Sequence, residues 1–318
     1  TEYMAGVNLY EALTTLDGSG AIQPLLSESW STSADGLTWT FKLKKGATFQ
    51  DGSPIEAKDV VWSVNRLLAI NEGPSYLFEG VLSEGSVTEI DSSTVQFKLE
   101  KTYAPFLTTT PILFVVNSDL AKENAGDGDP WAQDYIANNS IGAGAFYLDS
   151  WERGAGMTIK AYEGYHLGWS DTGIDEVRFV VTNEEATVKA LAASGELSMS
   201  SDAQAQETYD SIGALSDYRI EKYSTATNFY LKLNNSIAPT DDVNIRKAIA
   251  YATDYDTIRD VILPGAPLTG PMPPIFADAY PDDIQPPSFD LAKAKEFVDS
   301  SSYAGKGPID IEVMYVAG

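Results

Sequence analysis

The sequence has no cysteine, a single histidine, fewer than half as many basic as acidic side chains, and no long apolar run. Each absence removes a class of function. Without cysteine there are no disulfides, no thiolate zinc sites and no cysteine nucleophile, although the compartment stays open because exported proteins also do without cysteine. With His166 as the only imidazole, a Ser-His hydrolase would have to be built around that residue, and no G-x-S-x-G turn accompanies it. A zinc site would have to draw its other ligands from carboxylates, an uncommon set. His166 is therefore read as a structural or surface residue. No window reaches the roughly 18 uninterrupted apolar residues of a membrane-spanning helix. Lys and Arg number 21 against 46 Asp and Glu, a net charge of −25. Such a surface repels the phosphate backbone whose neutralisation drives nucleic-acid binding, so nucleic acid is set aside as a partner. The acid excess itself is read as solvated surface.

What remains has a globular composition: 318 residues, 43% apolar and 21% charged, enough for two domains or parts of three. Strand and helix patterns alternate with no repeat and no low-complexity linker. Residues 37–43 alternate with period two, placing Leu37, Trp39, Phe41 and Leu43 on one face, and residues 95–99 do the same. Asp-Gly pairs at 35–36 and 51–52 are turn signals bracketing the first of these strands. Apolar positions 57, 60, 61, 64, 67 and 68 follow the helical period and predict an amphipathic helix over 57–68. Further helices are expected at 184–194, with Gly195 at its C-terminal stop, at 242–252 and at 291–298. Residues 228–233 and 309–316 alternate as strands, and the Pro-rich stretch 264–287 reads as irregular. The opening residues show no basic segment followed by an apolar run. A chain that stops two residues after an expected strand reads as a piece of a longer polypeptide. The fold class implied is mixed α/β, built from several small sheets.

No catalytic motif emerges. Gly18-Ser-Gly20 and Gly142-Ala-Gly144 each lack the third glycine of a dinucleotide fingerprint, with Gln23 and Tyr147 in its place, and read as turn or close-packing glycines. The acidic run 124–129 misses the ligand spacing of a calcium loop and reads as a surface turn. No pair stands out among the 46 acids as a glycosidase couple. Neither a metal nor an organic cofactor is expected. Six Trp, 17 Tyr and 12 Phe could line a cleft, but Trp30, Trp39, Phe41 and Trp62 are read as core.

A series of ordered motifs then carries a resemblance. Pro24-Leu-Leu-Ser-Glu-Ser-Trp30, Asp35-Gly-Leu-Thr-Trp-Thr-Phe-Lys-Leu-Lys-Lys-Gly46, Phe49-Gln-Asp-Gly-Ser-Pro54 and Ala57-Lys-Asp-Val-Val-Trp-Ser63 follow one another, with Tyr103-Ala-Pro-Phe-Leu107, Ile141-Gly-Ala-Gly-Ala-Phe146, Tyr162-Glu-Gly-Tyr165 and Ile174-Asp-Glu-Val177 downstream. The sequence resembles the family 5, peptide- and nickel-type, extracellular solute-binding proteins of ABC transporters. Ala143 and Ala145 depart from the family's G-T-G-P-F pattern. The resemblance implies a two-lobe periplasmic-binding-protein fold (type II, cluster C) with an inserted extra domain. Lobe I would comprise 1–24 and 145–234, the inserted domain 25–144, and a truncated start of lobe II 235–318. It further implies a monomeric receptor in the periplasm or on the outer face of the cell membrane, taking a small solute such as a peptide and handing it to an ABC permease. In peptide-binding relatives the segment before a motif like Leu9-Tyr-Glu-Ala-Leu13 approaches the ligand, which nominates Glu2 and Tyr3. Asn228 and Phe229 are nominated from the strand that leads into lobe II, and Tyr76 from the inserted domain. Phe229 also belongs to the apolar stripe of its expected strand, where it would be core. A carboxylate-based hydrolase on a two-lobe scaffold, and a peptide-binding chaperone or sensor of the same fold, stay open as alternatives.

Overall fold

The computed structural model describes residues 2–171, 173–201, 204–222, 227–262, 265–270, 272–273 and 283–313, with Glu2 and Tyr3 described by their helical backbone alone. It divides into two units, Thr1–Val181 and Thr182–Gly318.

Unit 1 opens with helix α1 (Glu2–Leu9), which buries Ala5 and Leu9 and leaves Met4 and Val7 exposed. A hairpin follows, β1 (Thr14–Leu16) and β2 (Ile22–Pro24), its tip closed by the Asp17 carboxylate, which accepts from the backbone N–H of Ser19 and Ala21. Strands β3 (Ser27–Thr32), β4 (Thr38–Leu43), β5 (Val87–Asp91) and β6 (Thr94–Lys98) form an antiparallel sheet in the order β3-β4-β6-β5. The alternation in the sequence is the alternation of burial: Phe41, Leu43, Val95 and Phe97 point into the core while Lys42 and Lys98 face out. The turn before β4 forms at Asp35-Gly36, with Gly36 at φ 71° where a side chain would be strained.

Helix α2 (Ala57–Ile70) packs on β5 and β6 and runs two residues beyond the expected span. Its start is fixed by a capping box, in which the Glu56 N–H donates to Asp59 Oδ2 at 2.9 Å, and its end by Asn71 in the left-handed region at φ 54°. A 3-10 turn, Gly73–Phe78, then leads back to the sheet. Phe41, Phe49, Phe78, Phe97 and Phe106 form the centre of the core, fully buried, with Phe97 5.5 Å from both Phe41 and Phe106 between ring centroids. Trp39 packs 5.4 Å from Phe106 and Trp30 6.3 Å from Phe41, both half-buried against this core, while Trp62 packs 5.5 Å from Trp131 in a second, smaller cluster. Three short helices follow: α3 (Phe106–Thr109), α4 (Ser118–Glu123) and α5 (Gln133–Ile136). The acidic run before α5 is a turn whose Asp129 carboxylate accepts from the N–H groups of Gln133 and Asp134. Unit 1 closes with an antiparallel sheet of β7 (Phe146–Glu152), β8 (Gly156–Ala161) and β9 (Glu176–Val180), in that order, against which α1 packs through Phe146 and Ile159.

In unit 2, α6 (Glu185–Ser194) ends on Gly195 at φ 77°, as its sequence requires, and shares a small core with α7 (Gln206–Gly213) through Val188, Ala192 and Ile212. Helix α8 (Val243–Ala252) is followed by α9 (Tyr255–Thr257), a π-helical turn Ile258–Ile262, and α10 (Leu291–Asp299). Asp242 caps α8 and also accepts from the N–H of Ser302, tying it to the end of α10, and Tyr251 stacks on Phe297 at 5.6 Å. The described parts of the Pro-rich stretch contain neither helix nor strand.

Two expected strands are corrected. Residues 228–233 and the described part of 309–316, residues 309–313, are not strands; 314–316 lie outside the described residues. Alternation makes a strand only where a neighbouring edge takes the main-chain N–H and C=O groups, and no strand among the described residues pairs with either stretch. The apolar side chains there stay outside: Phe229 is 75% exposed, so it is not core, and Leu231, Ile311 and Val313 are exposed too.

Because Phe41 is fully buried between two other rings, Phe41→Ala should lower unfolding free energy by about 3–5 kcal/mol. Urea denaturation checks this; a loss under about 1 kcal/mol would remove Phe41 from the structural centre.

Candidate functional site

Five chain segments of unit 1 converge beneath the end of α1. Gln50 ties its own segment to two of them, the end of α1 and residues 140–146. Its side-chain amide donates to the carbonyls of Leu9 at 3.2 Å, Gly144 at 3.2 Å and Phe146 at 2.6 Å, and its Oε1 accepts from Ser140 Oγ at 2.7 Å. The Gln50 N–H donates to Gly142 O and the Gly144 N–H to Leu9 O. Close packing, not a phosphate, accounts for the glycine pair: a Cβ at Gly142 would collide with the Leu9 carbonyl oxygen, and one at Gly144 with that of Asn8. Beside it, Asn117 Nδ2 donates to Asp51 at 2.8 Å and Ser53 at 3.0 Å while its Oδ1 caps α4.

The most polar feature of this junction is buried. Glu11 pairs through its main chain with Val115, and its carboxylate is 4% exposed. One carboxylate oxygen accepts from Tyr165 Oη at 2.6 Å and the other lies 2.6 Å from His166 Nε2. Burial, then the bond to Glu11 and its charge, push the Tyr165 hydroxyl well above the ordinary tyrosine range. Tyr165 also lies against Trp169, which meets Phe146 edge-on at 5.3 Å and donates from Nε1 to Tyr162 O. With both carboxylate oxygens committed and the imidazole 7% exposed, this cluster holds segments together and presents no free base to a substrate. His166 is thus structural, as read from the sequence. Glu11, Gln50, Asn117 and Tyr165 were not singled out by sequence reasoning. The available signal was a lone acid inside the apolar run Leu9–Leu13, which needs a partner if that run is buried.

The five nominated ligand-contact residues fall in different places. Glu2 and Tyr3 form the first turn of α1. Tyr76 sits in the 3-10 turn packed against α2 and is 71% exposed. Asn228 and Phe229 belong to unit 2, in a stretch without helix or strand. Among the described residues no group of His, Asp and Glu is arranged to hold a metal ion, and no helix is long and apolar enough to cross a membrane.

Comparison with known proteins adds the relationship. The model of the bacterial extracellular solute-binding proteins, family 5 Middle, matches residues 21–317. The probable D,D-dipeptide-binding periplasmic protein DdpA of Escherichia coli (strain K12) is 31% identical over 260 residues, 80% of this chain and 49% of that relative. The dipeptide-binding protein of the same organism is 28% identical over 340 residues, 98% of this chain and 61% of that relative. The chain thus spans about half the length of the curated relatives it matches. Among solved structures, the periplasmic binding protein DppA from Helicobacter pylori in complex with the peptide STSA matches with a TM-score of 0.81 at 24% identity, over 95% of this chain and 62% of that one. The oligopeptide-binding protein AppA from Bacillus subtilis in complex with a nonapeptide gives 0.79 at 23%, over 96% and 60%. The fold is that of these periplasmic binding proteins.

Removing one partner of the buried cluster should be costly: Glu11→Ala is expected to destabilise by about 3 kcal/mol, and an effect below about 1 kcal/mol in chemical denaturation would contradict the assignment. The raised Tyr165 group adds a pH signature. The unfolded chain releases this proton near the ordinary value of about 10 and the folded chain only above it, so its contribution is complete below about pH 10 and lost as pH rises further. Tyr165→Phe should remove that alkaline component from a stability–pH series, and an unaltered alkaline limb would reject it.

Proposed function

Because the chain belongs to the bacterial extracellular solute-binding proteins of family 5, we propose that it recognises a small solute, a peptide, for an ABC importer, in the periplasm or on the outer face of the membrane. The observation that supports this reading is the family match over residues 21–317 together with the likeness, at a TM-score of 0.81, to a peptide-bound binding protein. Family 5 is made up of binding proteins, and the reading extended here is that this protein turns nothing over. A receptor needs a surface complementary to its ligand and a conformational equilibrium that the ligand biases by differential contacts. It needs no nucleophile, and the buried Glu11–His166 pair offers none. The carboxylate-based hydrolase is not favoured by a family made up of binding proteins.

The domain reading is carried as part of the proposal: 1–24 and 145–234 as lobe I, 25–144 as the inserted domain, 235–318 as the beginning of lobe II. It is favoured by the separate sheets of 27–98 and 146–180, each with its own buried cluster. Glu2, Tyr3, Tyr76, Asn228 and Phe229 are proposed to face the ligand. A carboxylate and an amide suit the amine and peptide groups of a short peptide, and three aromatic rings suit its side chains. Tyr76 and Phe229 stand out in a chain whose core phenylalanines are fully buried, because each keeps about three quarters of its surface in solvent. The partner on the membrane would be an ABC permease, with the receptor acting as a monomer. The charge of −25 argues against nucleic acid.

Isothermal calorimetry with a pool of short peptides, followed by mass spectrometry of what is recovered, tests the reading. Saturable binding with the peptide returned intact is expected, and Phe229→Ala or Tyr76→Ala should weaken it by about 1–3 kcal/mol without shifting the melting temperature. Steady conversion of a peptide into product would overturn the receptor reading; unchanged affinity in both variants would remove those rings from the site.

A further inference from the structure

The turn at residues 49–53 joins two parts of unit 1 that have separate cores. Phe49 is fully buried in the core of the 27–98 sheet, and the turn is closed by Phe49 N–H to Ser53 O and Gly52 N–H to Phe49 O, both at 2.9 Å. Gln50, the next residue, reaches the other core, that of α1 and the β7–β8–β9 sheet, and bonds the carbonyls of Leu9 and Phe146, which both belong to it. Tyr162, just after β8, donates its hydroxyl to Phe49 O at 3.1 Å and so backs the same turn.

What Gln50 meets at α1 is a helix end. The last carbonyls of a helix have no partner within it. The Leu9 carbonyl takes its hydrogen bonds from outside, from the Gly144 N–H at 3.0 Å and from Gln50 Nε2 at 3.2 Å. The same Nε2 serves Gly144 O and Phe146 O at the entry to β7. Two N–H groups are thus spread over three carbonyls, and the helix end and the strand start share one donor. Ser140, bonded to Oε1, fixes which end of the amide carries the donors. Burial of Ala5 and Leu9 holds α1 down, but apolar contact is non-directional and lets a helix tilt; hydrogen bonds at its end have direction. Glu2 opens the helix that Leu9 ends, about 10 Å away along the axis. A tilt of about 10° at Leu9 would carry the first turn by about 2 Å, several times the roughly 0.5 Å range over which a hydrogen bond keeps its strength.

We propose that Gln50 is a positioning residue for solute recognition: it transmits the placement of the 27–98 core to α1 and thereby sets where Glu2 and Tyr3 stand. Its consequence for binding rests on the reading of Glu2 and Tyr3 as ligand-facing; the placement of α1 rests on the hydrogen bonds alone.

Because the chain has no cysteine, a pair of spin labels can be introduced at two chosen sites alone. Met4→Cys on the exposed side of α1 and Lys98→Cys on the outer face of β6 report the placement of the helix against the 27–98 core by pulsed electron–electron resonance. Gln50→Met keeps the stem length and removes the donors and the acceptor; Gln50→Asn carries its amide one methylene short. Each should broaden the distance distribution or move its centre by about 2 Å. Calorimetry with dialanine and tetra-alanine reads the consequence. Gln50→Met should weaken binding about 5- to 20-fold in the native background and in Phe229→Ala, but less than about 2-fold once Glu2→Gln and Tyr3→Ala are present. A residue that merely stabilises the fold would lower affinity alike in all three backgrounds. The proposal is overturned if the distance distribution is unaltered in whichever variant folds, or if the loss of affinity persists undiminished without Glu2 and Tyr3. Should neither variant fold, Ser140→Ala releases the amide without shortening it, and an unaltered distribution there overturns the proposal equally. If neither peptide binds the native protein, the receptor reading fails for these peptides, and the distance measurement still decides whether Gln50 places α1.

Discussion

Between the end of α1 and the segment 142–144, main chain meets main chain more closely than any side chain tolerates, and the organisation of unit 1 follows from that approach. A Cβ at Gly142 or Gly144 would overlap a carbonyl oxygen of Leu9 or Asn8, so the contact exists only with glycine on one side. Two polypeptide edges brought together in this way must satisfy their polar groups locally. Gln50 does so, with an amide donor placed among three carbonyls and an acceptor turned to Ser140. The same segments deliver Glu11 to Tyr165 and His166, and Phe146 to the buried side of α1. Helix α1, which carries Glu2 and Tyr3, is therefore fixed by backbone geometry in the glycine pair and by one side-chain amide, together with its buried Ala5 and Leu9.

That arrangement uses the buried acids and the imidazole as structural groups. Catalytic acids and bases are kept exposed enough to reach a substrate and strained enough to exchange protons with it. Here the single imidazole and its carboxylate are sealed together, and the buried Asp59 is likewise committed, accepting from the Ser118 N–H and hydroxyl and from the Glu56 N–H. Several large apolar side chains stay outside, Tyr76, Trp151 and Phe229 among them.

Local patterns carried most of the fold that was legible. α2 could be read because its apolar positions keep the helical spacing, and β4 and β6 because alternation coincides with one buried face. α1 was not read as a helix, since its apolar residues Met4, Ala5, Val7 and Leu9 form no single stripe and only two of the four are buried. The stretch 228–233 has a strong alternating pattern and no strand partner among the described residues; periodicity states a preference, and pairing is decided by something the pattern does not contain. The site was less legible still. Glu11 and His166 stand 155 residues apart, and Gln50 reaches partners 41, 94 and 96 residues away. The glycine pair at 142–144 was read as turn or close packing, because the missing third glycine disposed of the phosphate alternative; it is close packing, and what it packs against could not be inferred. The residues nominated for ligand contact came from resemblance, not from a local physical signal, and their role is correspondingly a proposal.

The acid excess, read from the sequence as solvated surface, has a second use that the structure exposes. Asp17, Asp51 and Asp91 each accept from the N–H and hydroxyl of a serine two residues on, and Asp35 accepts from Ser33 and from the Leu37 N–H. Asp242, Asp254 and Asp290 cap helices in unit 2, as Asp129 does in unit 1. Each carboxylate supplies acceptors to backbone donors that the turn or helix end leaves without a partner. The donors in turn hold the charged form: bonds from Ser19, Gln23 and Ala21 bring Asp17 down to about 2, and those from Ser302 and Asn244 do the same for Asp242. A group held below its unfolded value adds stability above that value and loses it as pH falls through the folded one, so these turns stay closed through mildly acidic conditions. A chain poor in basic residues cannot neutralise its acids by ion pairing, and its exposed salt bridges are worth little individually. Aspartate at turns and helix starts makes the negative charge structural, because its partners are main-chain N–H groups that every residue but proline carries.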